Sequence, residues 1–317
     1  MKFHRSRFLN PFSSKVSRLT LLLIAIGGHA LAQQSGHYLQ GVTGLENGST
    51  APPGFYAGFL PYVYDINALK GPSGNTIVKP DLTVVAYNNI FSMTTEKKLF
   101  GASYGFSVII PAVNTRLTAD AFNTTFEQGG LSDIYFAPIV LGSTKGPANF
   151  LLNYGFYAPT GAFNPSSPVN PGLGYWEHQI QAGTTYAIDK KKLWNTSLLS
   201  TWEINMSKEG LDLKPGPMAT FEYSFGRRFF TYRMNAGVAG YAYTKLAPDS
   251  GSDVSDLSQG VLDRSFGAGP EWKYTEPKWH MAFDVRYEPQ FGVQGKTSGN
   301  VFVFSVTYLD FLVPTKK

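Results

Sequence analysis

The stretch WHMAFDVRYEP, residues 279–289, alternates two chemistries. Trp279, Met281, Phe283, Val285 and Tyr287 hold one parity, and His280, Ala282, Asp284, Arg286 and Glu288 hold the other. Successive side chains of a strand point to opposite faces. The stretch therefore reads as a strand with an apolar, aromatic face and a charged face. A soluble sandwich and a membrane barrel both use such strands, so the surrounding sequence must decide which face meets what.

From residue 54 onward, alternating segments recur and helical periodicity is nearly absent. Twelve are readable, at about 55–65, 82–94, 102–112, 131–143, 148–159, 174–188, 192–206, 216–225, 228–244, 262–274, 279–289 and 300–312. Their connections alternate in length. Five short ones (95–101, 144–147, 189–191, 226–227, 275–278) interleave with six mostly longer ones (66–81, 113–130, 160–173, 207–215, 245–261, 290–299) rich in Gly, Pro, Ser, Asn and Asp. Short turns at one end and long loops at the other are the pattern of an outer-membrane barrel. The expected fold is all-β: a transmembrane antiparallel β-barrel of twelve strands with short periplasmic turns and long extracellular loops.

The faces agree. In 192–206, Trp194, Leu198, Trp202, Ile204 and Met206 oppose Asn195, Ser197, Thr201, Glu203 and Asn205. In 174–188, Trp176, His178, Ile180 and Tyr186 oppose Glu177, Gln179 and Gln181, and in 216–225 Phe221, Tyr223 and Phe225 oppose Thr220, Glu222 and Ser224. In 228–244, Phe230, Tyr232, Met234 and Val238 oppose Thr231, Arg233, Asn235 and Tyr241. Ile134, Phe136 and Val140 oppose Asp133 and Tyr135. The polar sets suit a lumen and the aromatic sets a lipid boundary. The first two segments carry apolar groups on both parities, and their faces stay unassigned.

Residues 1–32 read as a signal peptide: a basic n-region, an apolar run at 19–26 and the small-residue site Ala30-Leu31-Ala32. The run is shorter than the ~20 residues that span a bilayer as a helix. A chain exported this way can enter a membrane only as a closed barrel, because open sheet edges find no partners in lipid. The formal charge of +5 comes from this segment. Setting aside Lys2, Arg5, Arg7, Lys15 and Arg18 leaves 22 basic and 22 acidic residues. Charge therefore gives no case for nucleic acid. Cysteine is absent, which removes disulfides, thiolate nucleophiles and Cys-based metal sites.

GHYLQGVTGLENGSTAPPGFYAGFLPYVYD, residues 36–65, resembles the start of the outer-membrane transporter family associated with the meta-pathway of phenol degradation, which includes the sphingosine-induced porin-like group. The resemblance lies in His37, Tyr38 and Gly41, then Pro52, Pro53, Gly54, Phe55 and Tyr56. GGLSDIYFAP (129–138) and YAPTGAF (157–163) extend it, and it runs from about residue 36 to residue 311. It implies an outer-membrane barrel that passes small, often hydrophobic or aromatic, compounds. The last strand, ending near Phe311, resembles the C-terminal signal read by the barrel-assembly machinery, although residues 313–317 continue past it as a periplasmic tail.

The inward charges are the candidate solute path: Asp133, Glu177, Glu203, Glu222, Arg233, Glu271, Lys273, Asp284, Arg286 and Glu288. Opposed charges in a lumen can select solutes. Equally, they can satisfy one another across neighbouring strands, Glu222 with Arg233 or Glu271 with Arg286. Residues 33–53 are either a free tail or a plug in the lumen, with His37 and Tyr38 as the plug's anchor. Three histidines follow residue 32 (His37, His178, His280), and no Ser/His/Asp set, carboxylate pair or metal spacing accompanies them. No enzyme, cofactor or metal site is expected. The acidic stretch 249–256 lacks the Gly and Glu placement of a calcium loop.

The expectation is an outer-membrane channel for passive uptake of small hydrophobic or aromatic solutes. Its surroundings are the lipid bilayer and lipopolysaccharide of a Gram-negative bacterium, reached after cleavage near Ala32. The competing expectation is a structural or adhesive barrel with a closed lumen; a lipid-modifying enzyme is a third.

Overall fold

The computed structural model describes residues 36–119, 124–167, 170–255 and 258–311. The expected signal segment 1–32, its expected cleavage site and the expected tail 313–317 lie outside the described residues. Fourteen strands form one sheet: β1 (Gly54–Lys70), β2 (Thr76–Val78), β3 (Asp81–Leu99), β4 (Ala102–Ala119), β5 (Thr124–Leu131), β6 (Ile134–Lys145), β7 (Ala148–Ala158), β8 (Glu177–Ala187), β9 (Trp194–Asn205), β10 (Met218–Phe229), β11 (Met234–Lys245), β12 (Arg264–Glu276), β13 (Met281–Gln294) and β14 (Thr297–Phe311). Consecutive wall strands pair antiparallel, and β14 returns to β1 with Gly54 opposite Phe311 and Leu69 opposite Thr297. The sheet is closed. Twelve strands form the wall, and β2 and β5 are additions within two of the expected long loops.

β5 does not pair as a separate wall strand. Along β4, Ala112 faces Leu131 of β5 and Ile109 faces Tyr135 of β6, so β5 and β6 follow one track interrupted at Ser132 and Asp133. Elsewhere the wall departs from the sequence expectation in three places. The turn expected at Gly226-Arg227 lies further on: β10 continues to Phe229, and the reversal uses Phe230, Thr231 and Tyr232, all at positive φ. The long connection expected at 290–299 shrinks to Gly295 and Lys296. A bulge between Phe136 and Ile139 reverses the parity of β6, so Ile139, not Val140, continues the exposed set.

The faces otherwise follow the alternation. In β13, Val285 is 48% exposed on the outer surface, while Arg286 and Glu288 are 3% and 0% exposed on the inner one. Trp279 and His280 precede the strand in its turn, with Trp279 at the rim. β1 and β3 now receive their faces. Phe55, Phe59, Tyr87 and Phe91 look outward, and Tyr56, Tyr62, Ile66, Leu82 and Ala86 are buried inside. Tyr62, Ala86, Val301 and Val303 form an inner apolar cluster joined by Leu39 and Val42 from the chain ahead of β1.

Candidate functional site

An irregular chain inside a barrel has backbone N–H groups that no strand pairs with, and burying them unpaired is costly. Residues 36–53 meet this condition with carboxylates. The segment begins among the long-loop ends of β6 and β8 and finishes at the short-turn end, where β1 starts. At the top, His37 donates its N–H to Glu177 at 3.0 Å; its ring approaches Glu177 at 3.0 Å through Nδ1 and Asp133 at 2.8 Å through Nε2. A neutral imidazole has one N–H, so donating at both nitrogens requires the imidazolium. Tyr157 stacks on that ring with centroids 4.5 Å apart, and Tyr175 meets it edge-on at 4.8 Å.

Asp133 can reach His37 because of the interruption between β5 and β6. Its carboxylate also accepts the N–H groups of Gly161 at 2.9 Å and Leu173 at 2.7 Å, which ties the 159–176 loop to the same point. Burial opposes ionisation of both partners. For His37 it is outweighed by Glu177 and Asp133, which hold the imidazole above its usual 6.5. For Asp133 it is outweighed by His37 and the two loop N–H groups, which hold the carboxyl below 3.8.

Below His37 the contacts continue residue by residue. Glu203 accepts the N–H of Tyr38 at 3.2 Å. Glu222 accepts the Tyr38 hydroxyl at 2.5 Å, the Thr43 N–H at 3.3 Å and the Thr43 hydroxyl. Glu271 accepts the Leu45 N–H at 2.7 Å. Cations hold the carbonyls: Arg286 donates to Val42 at 2.8 Å and Lys273 to Leu45 at 2.5 Å. Arg286 lies 3.3 Å from Glu271 and 3.4 Å from Glu288, and Lys273 lies 3.4 Å from Glu271 and 3.7 Å from Asp284. Gly44 packs against Arg286 and Glu271 where a Cβ would collide with both. Lower down, Glu46 pairs with Arg228, and Thr50 packs on Gly142 of the opposite wall.

Nine of the ten charged candidates thus face the lumen around one segment, and the expected Glu271–Arg286 pair is present. Arg233 stands apart. It sits in the β10–β11 turn with its side chain 44% exposed and pairs with Glu276 at 3.5 Å, so the expected Glu222–Arg233 pair is absent. The displaced turn explains this, because a residue expected in a strand is in a reversal. Sequence reading also missed Thr43, Gln40 and the Glu46–Arg228 pair. Gln40 accepts from Ser265 at 2.9 Å and Lys296 at 3.0 Å, and its carbonyl accepts the Tyr62 hydroxyl at 2.8 Å.

The opposite wall is different. Leu60 of β1, Val84, Ala86 and Ile90 of β3, and Ile109, Pro111 and Val113 of β4 face Leu39 and Val42 across a cavity of about 270 Å³. Asn170, Pro171 and Leu173 cover its long-loop end, and Ser107, Asn153, Gln179 and Gln181 supply polar edges. The lumen therefore has a charged side that hydrogen-bonds the segment and an apolar side on which Leu39 and Val42 pack, with the cavity beside them.

The remaining histidines lie elsewhere. His178 is on the outer face with Nδ1 3.0 Å from the Tyr154 hydroxyl, and His280 is in the β12–β13 turn, 3.0 Å from the Leu309 carbonyl. In the acidic stretch, Asp249 pairs with Lys245 at 3.0 Å, and Asp253 accepts the Asp212 N–H at 2.7 Å. Among the described residues no cluster of three or more His, Asp or Glu side chains is arranged to hold a metal.

A family described as "Putative MetA-pathway of phenol degradation" matches residues 66–306. The chain belongs to this family. No curated protein matches it significantly. The crystal structure of an outer membrane channel from Pseudomonas putida F1 is similar in fold, with a TM-score of 0.67 at 11% identity, covering 83% of this chain and 98% of that one. The transport unit of the autotransporter AIDA-I from Escherichia coli scores 0.49 at 10% identity, covering 91% and 99%. A Pseudomonas aeruginosa FadL homologue scores 0.39 at 10% identity, covering 81% and 89%. As a member of the phenol-degradation family, the chain is an outer-membrane-type β-barrel closed by twelve strands.

Proposed function

We propose that this protein is an outer-membrane channel for passive movement of small hydrophobic or aromatic solutes, and that residues 36–53 are its plug. The single observation that carries this is the two-sided lumen. An apolar cavity of about 270 Å³ runs beside a segment held from the other side by carboxylates. Ligand cavities span roughly 300–1,000 Å³, and an apolar void of about 150 Å³ takes up benzene. The cavity matches one substituted ring and is too small for an oligosaccharide. Membership of the phenol-degradation family and the fold shared with a protein described as a channel point the same way.

On this reading the ten charges divide by role. Asp133, Glu177, Glu203, Glu222, Glu271, Lys273, Arg286 and Glu288, with Asp284 beside Lys273, lock the plug; Arg233 takes no part. The solute path is the β1–β3–β4 wall. Movement is downhill, with the long loops and lipopolysaccharide on the outer side. Liposome swelling and uptake of a fluorescent aromatic test this, with the intact protein and with residues 36–48 deleted. Uptake that rises on deletion and falls in Val84→Asp and Ile109→Asp is expected. A deletion variant that passes neither ions nor aromatics would establish the closed, structural barrel instead.

A further inference from the structure

Arg227 is on the outer face of β10, directly opposite Trp194 of β9, near the short turns. Its guanidinium lies 5.3 Å from the Trp194 ring centroid and 4.9 Å from that of Phe229. Phe225 stacks on Trp194 with centroids 5.3 Å apart, so the arginine closes an aromatic patch that is otherwise lipid-facing. Beside it, Lys190, Lys191 and Lys192 are exposed in the β8–β9 turn. The turn is held in place: Asp189 accepts the N–H of Trp194 at 2.7 Å and of Lys191 at 3.1 Å, Arg228 donates to the Lys192 carbonyl at 3.1 Å, and the Tyr232 hydroxyl donates to the Lys191 carbonyl at 2.7 Å. Asp189 is committed to the backbone, and none of Arg227, Lys190, Lys191 or Lys192 has a carboxylate partner among the described residues.

A lipid-facing arginine cannot stay unpaired at hydrocarbon depth, but at headgroup level a phosphate can meet it. Stacking leaves the guanidinium N–H edge free for bidentate contact with phosphate oxygens. We infer that the β8–β9 turn and the adjoining outer face of β10 bind the headgroup of an anionic phospholipid in the leaflet at the short-turn end. Arg227 takes the phosphate and the three lysines the surrounding negative charge. The acyl chains then lie along Phe225 and Trp194. This surface is on the opposite side of the wall from the lumen and is independent of what the channel passes.

Native mass spectrometry of the protein released from nanodiscs of mixed phosphatidylglycerol and phosphatidylcholine tests it. The wild type should retain phosphatidylglycerol in preference to phosphatidylcholine. Arg227→Gln should lower that retention about fivefold, Arg227→Lys should keep most of it, and replacing Lys190, Lys191 and Lys192 by Gln should lower it further. Lys98→Gln, at the same end but across the barrel, should leave it unchanged. Folded barrel is selected first by its heat-modifiable gel mobility, and the exposed lysine variants stand in if Arg227→Gln assembles poorly. Equal retention of the two lipids by the wild type, full retention by the Gln variants, or an equal loss in Lys98→Gln would overturn the inference.

Discussion

Replacing Glu222 with Gln should loosen residues 36–53 without opening the barrel wall. Glu222 accepts three hydrogen bonds from the segment, from the Tyr38 hydroxyl and from the N–H and hydroxyl of Thr43. Hydrogen bonds to charged groups contribute about 1.5–3 kcal/mol and neutral ones about 0.5–1.5 kcal/mol. Conversion to an amide therefore costs about 1 kcal/mol per bond, or about 3 kcal/mol for the three. At about 1.4 kcal/mol per tenfold, the undocked population rises about 100-fold. The chain has no cysteine, so a single Leu45→Cys reporter gives a clean assay. Leu45 is 1% exposed, and reaction with a small aqueous thiol reagent requires undocking. When undocking is fast and unfavourable, the labelling rate follows the open population and should rise about 100-fold on adding Glu222→Gln. Rates within a factor of two, in barrels of unchanged heat-resistant mobility, would refute the claim that these bonds hold the segment.

The His37 anchor should respond to pH, and the same Leu45→Cys reporter measures it. The imidazole is raised above 6.5, so its contribution is complete below about pH 6.5 and is lost as pH rises through the raised value; Asp133 is depressed below 3.8, so its contribution is complete above that and is lost as pH falls through the depressed value. Labelling, divided at each pH by the rate for the same cysteine in urea-unfolded protein to remove the rise in thiolate fraction, should be slowest between these limits and climb on the alkaline side, and His37→Gln should remove that climb. Cysteine at Asp284 should react with aqueous reagents only once 36–48 are deleted, because the inner side of β13 is covered by the segment; reaction in the intact protein would show an open lumen. Thr231→Gly should raise the urea midpoint of unfolding. Thr231 sits at φ 55°, where a β-branched residue carries strain of about 1–2 kcal/mol that glycine avoids.

What the sequence disclosed depended on contrast between the two sides of the wall. Strands β8, β9 and β10 carry Gln, Glu, Asn and Ser inside and Trp, Leu and Phe outside, so their two faces were legible from alternation, and the alternating lengths of the connections then pointed to a closed barrel. β1 and β3 were not legible, because their outer face meets lipid and their inner face lines an apolar cavity. Low contrast was itself the trace of the cavity: a strand apolar on both faces in a barrel otherwise polar inside has something apolar to line. The β10–β11 turn was misplaced for a local reason. Gly226 followed by two arginines suggests a reversal, yet this glycine is needed where its Cβ would come within 2.6 Å of Leu45. The true turn uses Phe230, Thr231 and Tyr232, residue types that give no turn signal. Tyr38 with Glu222 and Leu45 with Glu271 join positions 184 and 226 apart, and no short pattern encodes those partners.

The excess of acid on the inner wall follows from what it binds. A strand inside the lumen would satisfy its own N–H groups by pairing, but residues 36–53 include no strand and present theirs singly, at His37, Tyr38, Thr43 and Leu45. A carboxylate has several acceptor sites and no donor, so one Glu per N–H serves an irregular chain where a neutral side chain would need a matching geometry. The same choice keeps undocking affordable. Carboxylates released from the segment are rehydrated when water fills the lumen, so undocking exchanges one set of hydrogen bonds for another and exposes Tyr38, Leu39, Val42 and Leu45 as the sizeable, largely apolar groups. A purely apolar plug would be held by its buried area and would leave a dry, sticky void behind it. In this lumen most of the grip sits on the charged side, while the β1 face adds the Tyr62 hydroxyl on the Gln40 carbonyl and the Tyr56 hydroxyl on the Pro52 carbonyl. On the proposed reading, a hydrophobic solute displaces the Leu39 and Val42 side chains from β3 and β4, on the side of the lumen away from Glu222 and Glu271, and enters the cavity that His37 and Asp133 also line.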